Sequence, residues 1–99
     1  MTKPIIWSPL AERDLETVLD YLMKNWNKEV AISFIDIIEH LIDQIEHHPK
    51  QFPLVNKKRH IRKCVATKHN TIFYRENKGA IEILRVFDTR QHPFKRTYK

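Results

Sequence analysis

Apolar residues recur every three or four positions through the first half of the chain and closer to every second position afterwards. Ala11, Leu15, Val18 and Leu22, with Leu19, Met23 and Trp26 beside them, form the stripe of one amphipathic helix, predicted from Pro9 to Trp26. Ser8 suits the N-cap because its side chain accepts from an orphan N–H. Pro9 suits the first helical position, where a missing donor costs nothing. Glu12 and Asp14 stand near the positive end of that helix, where carboxylates are favoured. Asn25-Trp26-Asn27 reads as a tight connection, with Asn27 able to cap a further helix. Val30, Phe34, Ile37, Leu41 and Ile45, flanked by Ala31, Ile35, Ile38 and Ile42, mark that second, longer helix. It should end near His48, since Pro49 disfavours the helical conformation in the residue before it.

Residues 49–56 read as a loop pinned down by Phe52 and Leu54. Three β-rich runs come next: His60 to Thr67, Thr71 to Glu76 and Ala80 to Phe87. Gly79 is the only glycine and falls where a hairpin would use a positive φ. Strict alternation puts Ile81, Ile83 and Phe87 on one face and Leu84 and Val86 on the other. Three strands make a narrow sheet, so Ile5-Ile6-Trp7 is expected to join it. The predicted fold is α+β in a single domain over 1–99. It comprises an N-terminal strand, an antiparallel helix hairpin and a three-stranded antiparallel meander, forming one mostly antiparallel sheet packed on the helices.

Charge changes this picture by being unevenly spread. Residues 1–49 carry four Lys/Arg against nine Asp/Glu, and residues 50–99 carry fourteen against three, so −5 and +11 make up the net +6. A cationic half of that density attracts a polyanion, whether nucleic acid or an acidic protein segment. Cys64 stands alone, so no internal disulfide can form, which fits a reducing, cytoplasmic setting. No apolar run approaches the length of a membrane span, no secretion signal is evident at the start, and no membrane association is expected.

Three blocks in order carry a family resemblance: Trp7-Ser8-Pro9-Leu10-Ala11-Glu12-Arg13-Asp14-Leu15 with Tyr21, then Ile72-Phe73-Tyr74-Arg75, then Ile81 through Pro93. With the order of predicted elements, they make the chain resemble the RelE/ParE toxin superfamily over nearly its whole length. The resemblance implies the growth-inhibiting toxin of a type II toxin–antitoxin system, held inactive by a cognate acidic antitoxin. ParE-like members poison DNA gyrase and are not known as nucleases. RelE-like members cut mRNA on the ribosome without a metal. A third possibility is a basic nucleic-acid-binding module with no toxicity.

Metal-free RNA cleavage needs a general base, a general acid and cations fixed on the phosphate. Arg62, Arg85, Arg90, His92 and Tyr98 are the candidates. The resemblance places Arg90 where RelE-like enzymes keep a phosphate-stabilising arginine, and His92 or Tyr98 where they keep an acid/base group. RelE-like enzymes also carry an arginine entering the middle strand, where this chain has Thr71. A threonine cannot stabilise phosphate charge as a guanidinium does. The expectation therefore leans to a ParE-like, target-binding toxin. Lys57, Lys58, Arg59, Lys63, Lys95 and Arg96 are the candidates for meeting a target or antitoxin. Each catalytic candidate also has a structural reading. Arg85 can pair with Glu82 or Asp88, Arg90 can pair with Asp88, and Tyr74 and Cys64 can simply be core. Asp36, His40, Asp43 and His47 share a face of the second helix, but Glu39 and Glu46 beside them suggest a solvated surface; no metal or cofactor is expected. His47 and His48 suit the negative end of that helix.

Overall fold

The computed structural model describes residues 2–90. Strand β1 (Ile5–Trp7) leads into helix α1 (Pro9–Asn25) and helix α2 (Lys28–His47). Strands β2 (Leu54–Asn56), β3 (Ile61–Val65), β4 (Asn70–Glu76) and β5 (Ile81–Asp88) complete the chain order. The sheet order is β1-β5-β4-β3-β2. β1 runs parallel to β5, and the other neighbours are antiparallel.

The helix ends obey their predicted chemistry. Ser8 is extended and its hydroxyl oxygen accepts from the Ala11 N–H; Asn27 does the same for Val30. Ser8 also ties the helix to the sheet. Its N–H donates to Ile83 O at 3.0 Å and its hydroxyl donates to Leu84 O at 2.9 Å. α1 thus takes over the edge of β5 where the short β1 runs out. His47 Nδ1 lies 2.8 Å from the Asp43 carbonyl oxygen in the last turn of α2.

One face of the sheet closes on the helices. Ala11, Val18, Leu22, Ala31, Phe34, Ile38 and Ile45 meet Cys64, Ile72, Tyr74, Ile81, Ile83 and Val86 in a single buried cluster. Not every residue of the predicted stripes reaches it: Met23, Ile37 and Trp26 stay exposed, Trp26 at 65%.

Four expectations are corrected. The segment 49–56 is not all loop, because Leu54–Asn56 adds a fifth strand. Its three residues and irregular pairing with β3 leave too little alternation to read from sequence. Phe52 does pin the segment, lying edge-on to Tyr74 at 6.3 Å, but Leu54 is exposed. Second, Gly79 has no positive φ. Asn77 builds that turn, its Oδ1 accepting from the N–H groups of Gly79 (3.0 Å) and Ala80 (2.8 Å). The left-handed residue is His60, with φ 56°. Third, a bulge breaks the alternation of β5: Tyr74 pairs with Ile83 but Phe73 pairs with Arg85. Skipping Leu84 carries Val86 onto the face of Ile81 and Ile83. Phe87 goes to the opposite face, edge-on to Phe73 at 6.3 Å. Fourth, Arg85 pairs with neither Glu82 nor Asp88. Its carboxylate is Asp14 of α1.

Candidate target-binding surface

Among the described residues of the second half, the cations that cluster form two populations, while Lys68 and Lys78 stand exposed in the β3–β4 and β4–β5 turns. On β4, β5 and beyond, guanidiniums meet carboxylates. Arg75 Nε lies 2.8 Å from Glu82 Oε1 on the neighbouring strand. Arg85 donates through Nε and Nη2 to the two oxygens of Asp14, at 2.7 and 3.1 Å. The same carboxylate accepts from the Val86 N–H at 3.0 Å, next to the bulge. Arg90 is held by Asp88, which is itself buried. The Arg90 N–H and Nε donate to Oδ1 and Nη2 donates to Oδ2. The guanidinium also sits 4.7 Å from the centroid of the Tyr21 ring, a cation–π arrangement. The hydrogen bond to Asp88 raises the Arg90 pKa further above its ordinary value, so the group stays charged.

Arg62 is engaged differently. Its Nη1 donates to Phe52 O at 2.7 Å and Lys50 O at 3.4 Å, fastening the segment after α2 to β3. Arg62, Arg85 and Arg90 are therefore each held by a separate structural partner. His92, Lys95, Arg96 and Tyr98 lie outside the described residues.

The second population lies on the β2–β3 edge. Lys57, Lys58, Arg59 and His60 make the turn between the two strands and are all exposed; Lys63 is exposed two residues into β3. Lys50 is exposed beside them, its carbonyl held by Arg62. Among the described residues, none of these lysines nor Arg59 makes an ion pair. The reason is in the sequence: from His47 to Arg75 there is no Asp or Glu.

Tyr74 and Cys64 belong to the core. The Tyr74 hydroxyl donates to Pro49 O, and burial raises its pKa. Burial pushes the Cys64 thiol up to about 11, which removes the thiolate a nucleophile would need. On α2, ligand atoms of Asp43, Glu46 and His47 fall within 4.8 Å of one another on the helix surface. Asp36 and His40 are not in that group, and His40 meets Gln44 instead. Asp43 is also what raises the His47 pKa, first through its carbonyl and then through its charge.

Sequence reasoning missed Asp14 as the partner of Arg85 and Tyr21 as the platform for Arg90. Asp14 is the sixth residue of α1, too deep for a helix-end carboxylate, and that position was the one signal that could have found it.

The model of the ParE toxin of type II toxin–antitoxin systems (parDE) matches residues 5–93. The fold is similar to a chain of the chromosomal ParDE toxin–antitoxin system of P. aeruginosa, with a TM-score of 0.75 and 17% identity over 88% of this chain and 96% of that one. It is also similar to a YoeB/ParE toxin from Agrobacterium tumefaciens (0.64, 12%, 86% and 96%). A chain of the E. coli DinJ–YafQ toxin–antitoxin complex is similar as well (0.63, 10%, 92% and 97%). No curated protein matches by sequence. A family match over nearly the whole chain, on a fold shared with these toxins, makes this chain a member of the ParE toxin family of type II toxin–antitoxin systems.

Proposed function

We propose that this toxin arrests growth by binding a large target, DNA gyrase being the precedent, and not by cutting RNA. The observation that carries this reading is the engagement of its guanidiniums. A metal-free nuclease must hold cations ready for the charge that develops on the phosphate. The Arg90 guanidinium is bonded twice by Asp88, that of Arg85 twice by Asp14, and that of Arg62 is spent on backbone carbonyls. Thr71 stands second in β4, where the resemblance places an arginine in the nuclease branch.

The partner that holds the toxin inactive is an acidic antitoxin drawn to the cationic half. The similar P. aeruginosa and E. coli chains come from a ParDE system and a toxin–antitoxin complex, which supports such a partner. The setting is the cytoplasm, where both an antitoxin and gyrase would be met, and among the described residues no helix is long and apolar enough to cross a membrane.

The test is induction of the chain with and without the neighbouring open reading frame, scoring growth, mRNA integrity and gyrase supercoiling. The expected result is arrest without the neighbour, intact mRNA and impaired gyrase. Ribosome-dependent mRNA cleavage that disappears in Arg90→Ala would overturn the reading in favour of the endonuclease.

A further inference from the structure

We propose that the β2–β3 edge is a docking site for the phosphate backbone of double-stranded nucleic acid, engaged without sequence preference and without chemistry. The inference rests on the target-binding reading above and names one component of what is bound.

The first support is electrostatic. Lys57, Lys58, Arg59 and Lys63 are exposed on a stretch with no carboxylate between Glu46 and Glu76. The arginines of β4 and β5 are matched by fixed carboxylates on the fold itself. Cations left without a counterion at one place repel one another, and a dense line of phosphates relieves that repulsion while releasing condensed counterions.

The second support is the build of the turn. Asn56 Oδ1 accepts from the Arg59 N–H at 2.9 Å, and the His60 N–H donates to Lys57 O at 3.3 Å. His60 is left-handed at φ 56°. This holds the three cations at the tip of a short two-stranded ribbon at the outermost edge of the sheet. Arg62 braces its base against the segment carrying Lys50. A preformed tip loses less conformational freedom on docking than a flexible basic loop does.

The duplex is favoured over a single strand because, among the described residues, the edge exposes no aromatic ring besides the His60 imidazole. Single-strand sites interleave cations with rings on which bases stack. The exposed large apolar residues here are Leu54 and Val65, both aliphatic. Phe73, in register with Lys63, is engaged edge-on with Phe87. A duplex presents the denser charge, about one per 1.7 Å of axis.

The test uses the full chain and fluorescence anisotropy with a mixed-sequence 24-base-pair duplex, a single strand of equal length and poly-glutamate. Four neutralised phosphates predict a log–log salt slope near −3.6, or about a 150-fold loss of duplex affinity from 50 to 200 mM salt. The variant Lys57→Ala/Lys58→Ala/Arg59→Ala should retain a slope of about −0.9, while Lys24→Ala/Lys28→Ala on the helices keeps the full slope. Should the triple variant fail to fold by circular dichroism, Lys57→Gln, Lys58→Gln and Arg59→Gln singly should each remove about 0.9. An unchanged slope in these variants overturns the proposal. So does a single strand or poly-glutamate binding as tightly as the duplex at equal salt; the poly-glutamate result would assign the edge to an acidic protein partner. Growth arrest is scored separately. Wild type that arrests cells but gives an unchanged slope on substitution sinks this inference alone, and wild type that never arrests sinks the toxin reading instead.

Discussion

Removing the Asp14 carboxylate tests how α1 is held to β5. Asp14→Ala takes away the bidentate partner of Arg85 and the acceptor for the Val86 N–H together. The side chains of Asp14 and Arg85 are only 12% and 15% exposed, so water cannot readily replace what is lost. Removing so buried a carboxylate, with its bonds to Arg85 and to the Val86 N–H, costs roughly 3–5 kcal/mol. A domain of this size has a total stability of only about 5–15 kcal/mol. At about 4–8 °C per kcal/mol, Tm should fall by more than 10 °C. The internal control is Arg75→Ala, which breaks a bond of similar length in a pair exposed by 41% and 31%. There the loss should be about 0.2–1 kcal/mol, because a water-screened pair contributes little. Arg85→Ala in the Asp14→Ala background should cost less than in the wild type, since the charge it removes has already lost its carboxylate. The assay is urea unfolding of each purified variant, monitored by circular dichroism at one salt concentration. Equal losses for Asp14→Ala and Arg75→Ala would refute the claim that burial, and not bond geometry, sets the energy.

Three further outcomes can be checked on the same material. Tyr74→Phe should lose about 1 kcal/mol in urea unfolding, because the ring still packs while Pro49 O loses its donor; a neutral result would mean water already serves that carbonyl. Cys64, with its thiol near 11, should resist alkylation at pH 8 in the native protein and react promptly in urea; fast native labelling would place it at the surface. His47 is raised by Asp43, so its contribution is present in full below its unfolded pKa near 6.5 and fades as pH rises through the higher folded value. An NMR titration should show that elevated value shrinking in Asp43→Asn, which keeps the raising carbonyl but not the charge; no change would assign the whole shift to the carbonyl.

Local signals carried most of the architecture. The helix starts at Ser8-Pro9 and Asn27 were legible because capping is settled within four residues of chain. The joining of Ile5-Ile6-Trp7 to the sheet came from the need of a narrow meander for another strand, and β5 supplies the partner. What escaped was non-local. The Leu84 bulge exists because α1 docks where β1 ends, with Ser8 and Asp14 bonding Leu84 O and Val86 N–H across more than seventy residues of sequence. No periodicity in β5 itself announces that, and so strict alternation puts Phe87 and Val86 on each other's faces. β2 is hidden for a related reason: its three residues, irregularly paired with β3, do not repeat long enough to show a period. The surface was half legible. The acid-free stretch and the Arg90–Asp88 pair can be read in the sequence, but that Arg85 is matched depends on Asp14 arriving from α1.

That division of cations has a consequence for which of them a polyanion can reach. A guanidinium bound to a fixed carboxylate has its geometry set for the folded protein, and a phosphate must compete with that carboxylate to use it. Arg85 and Arg90 are in this position, so presenting either to a substrate would first require breaking contacts that tie β5 to α1 or close the end of the strand. The lysines of the β2–β3 turn face no such competition, and bringing a polyanion to them leaves every core contact in place. The stability cost of changing the first group and the near-absence of one for the second make this turn the place where the chain's charge can change without loosening its core.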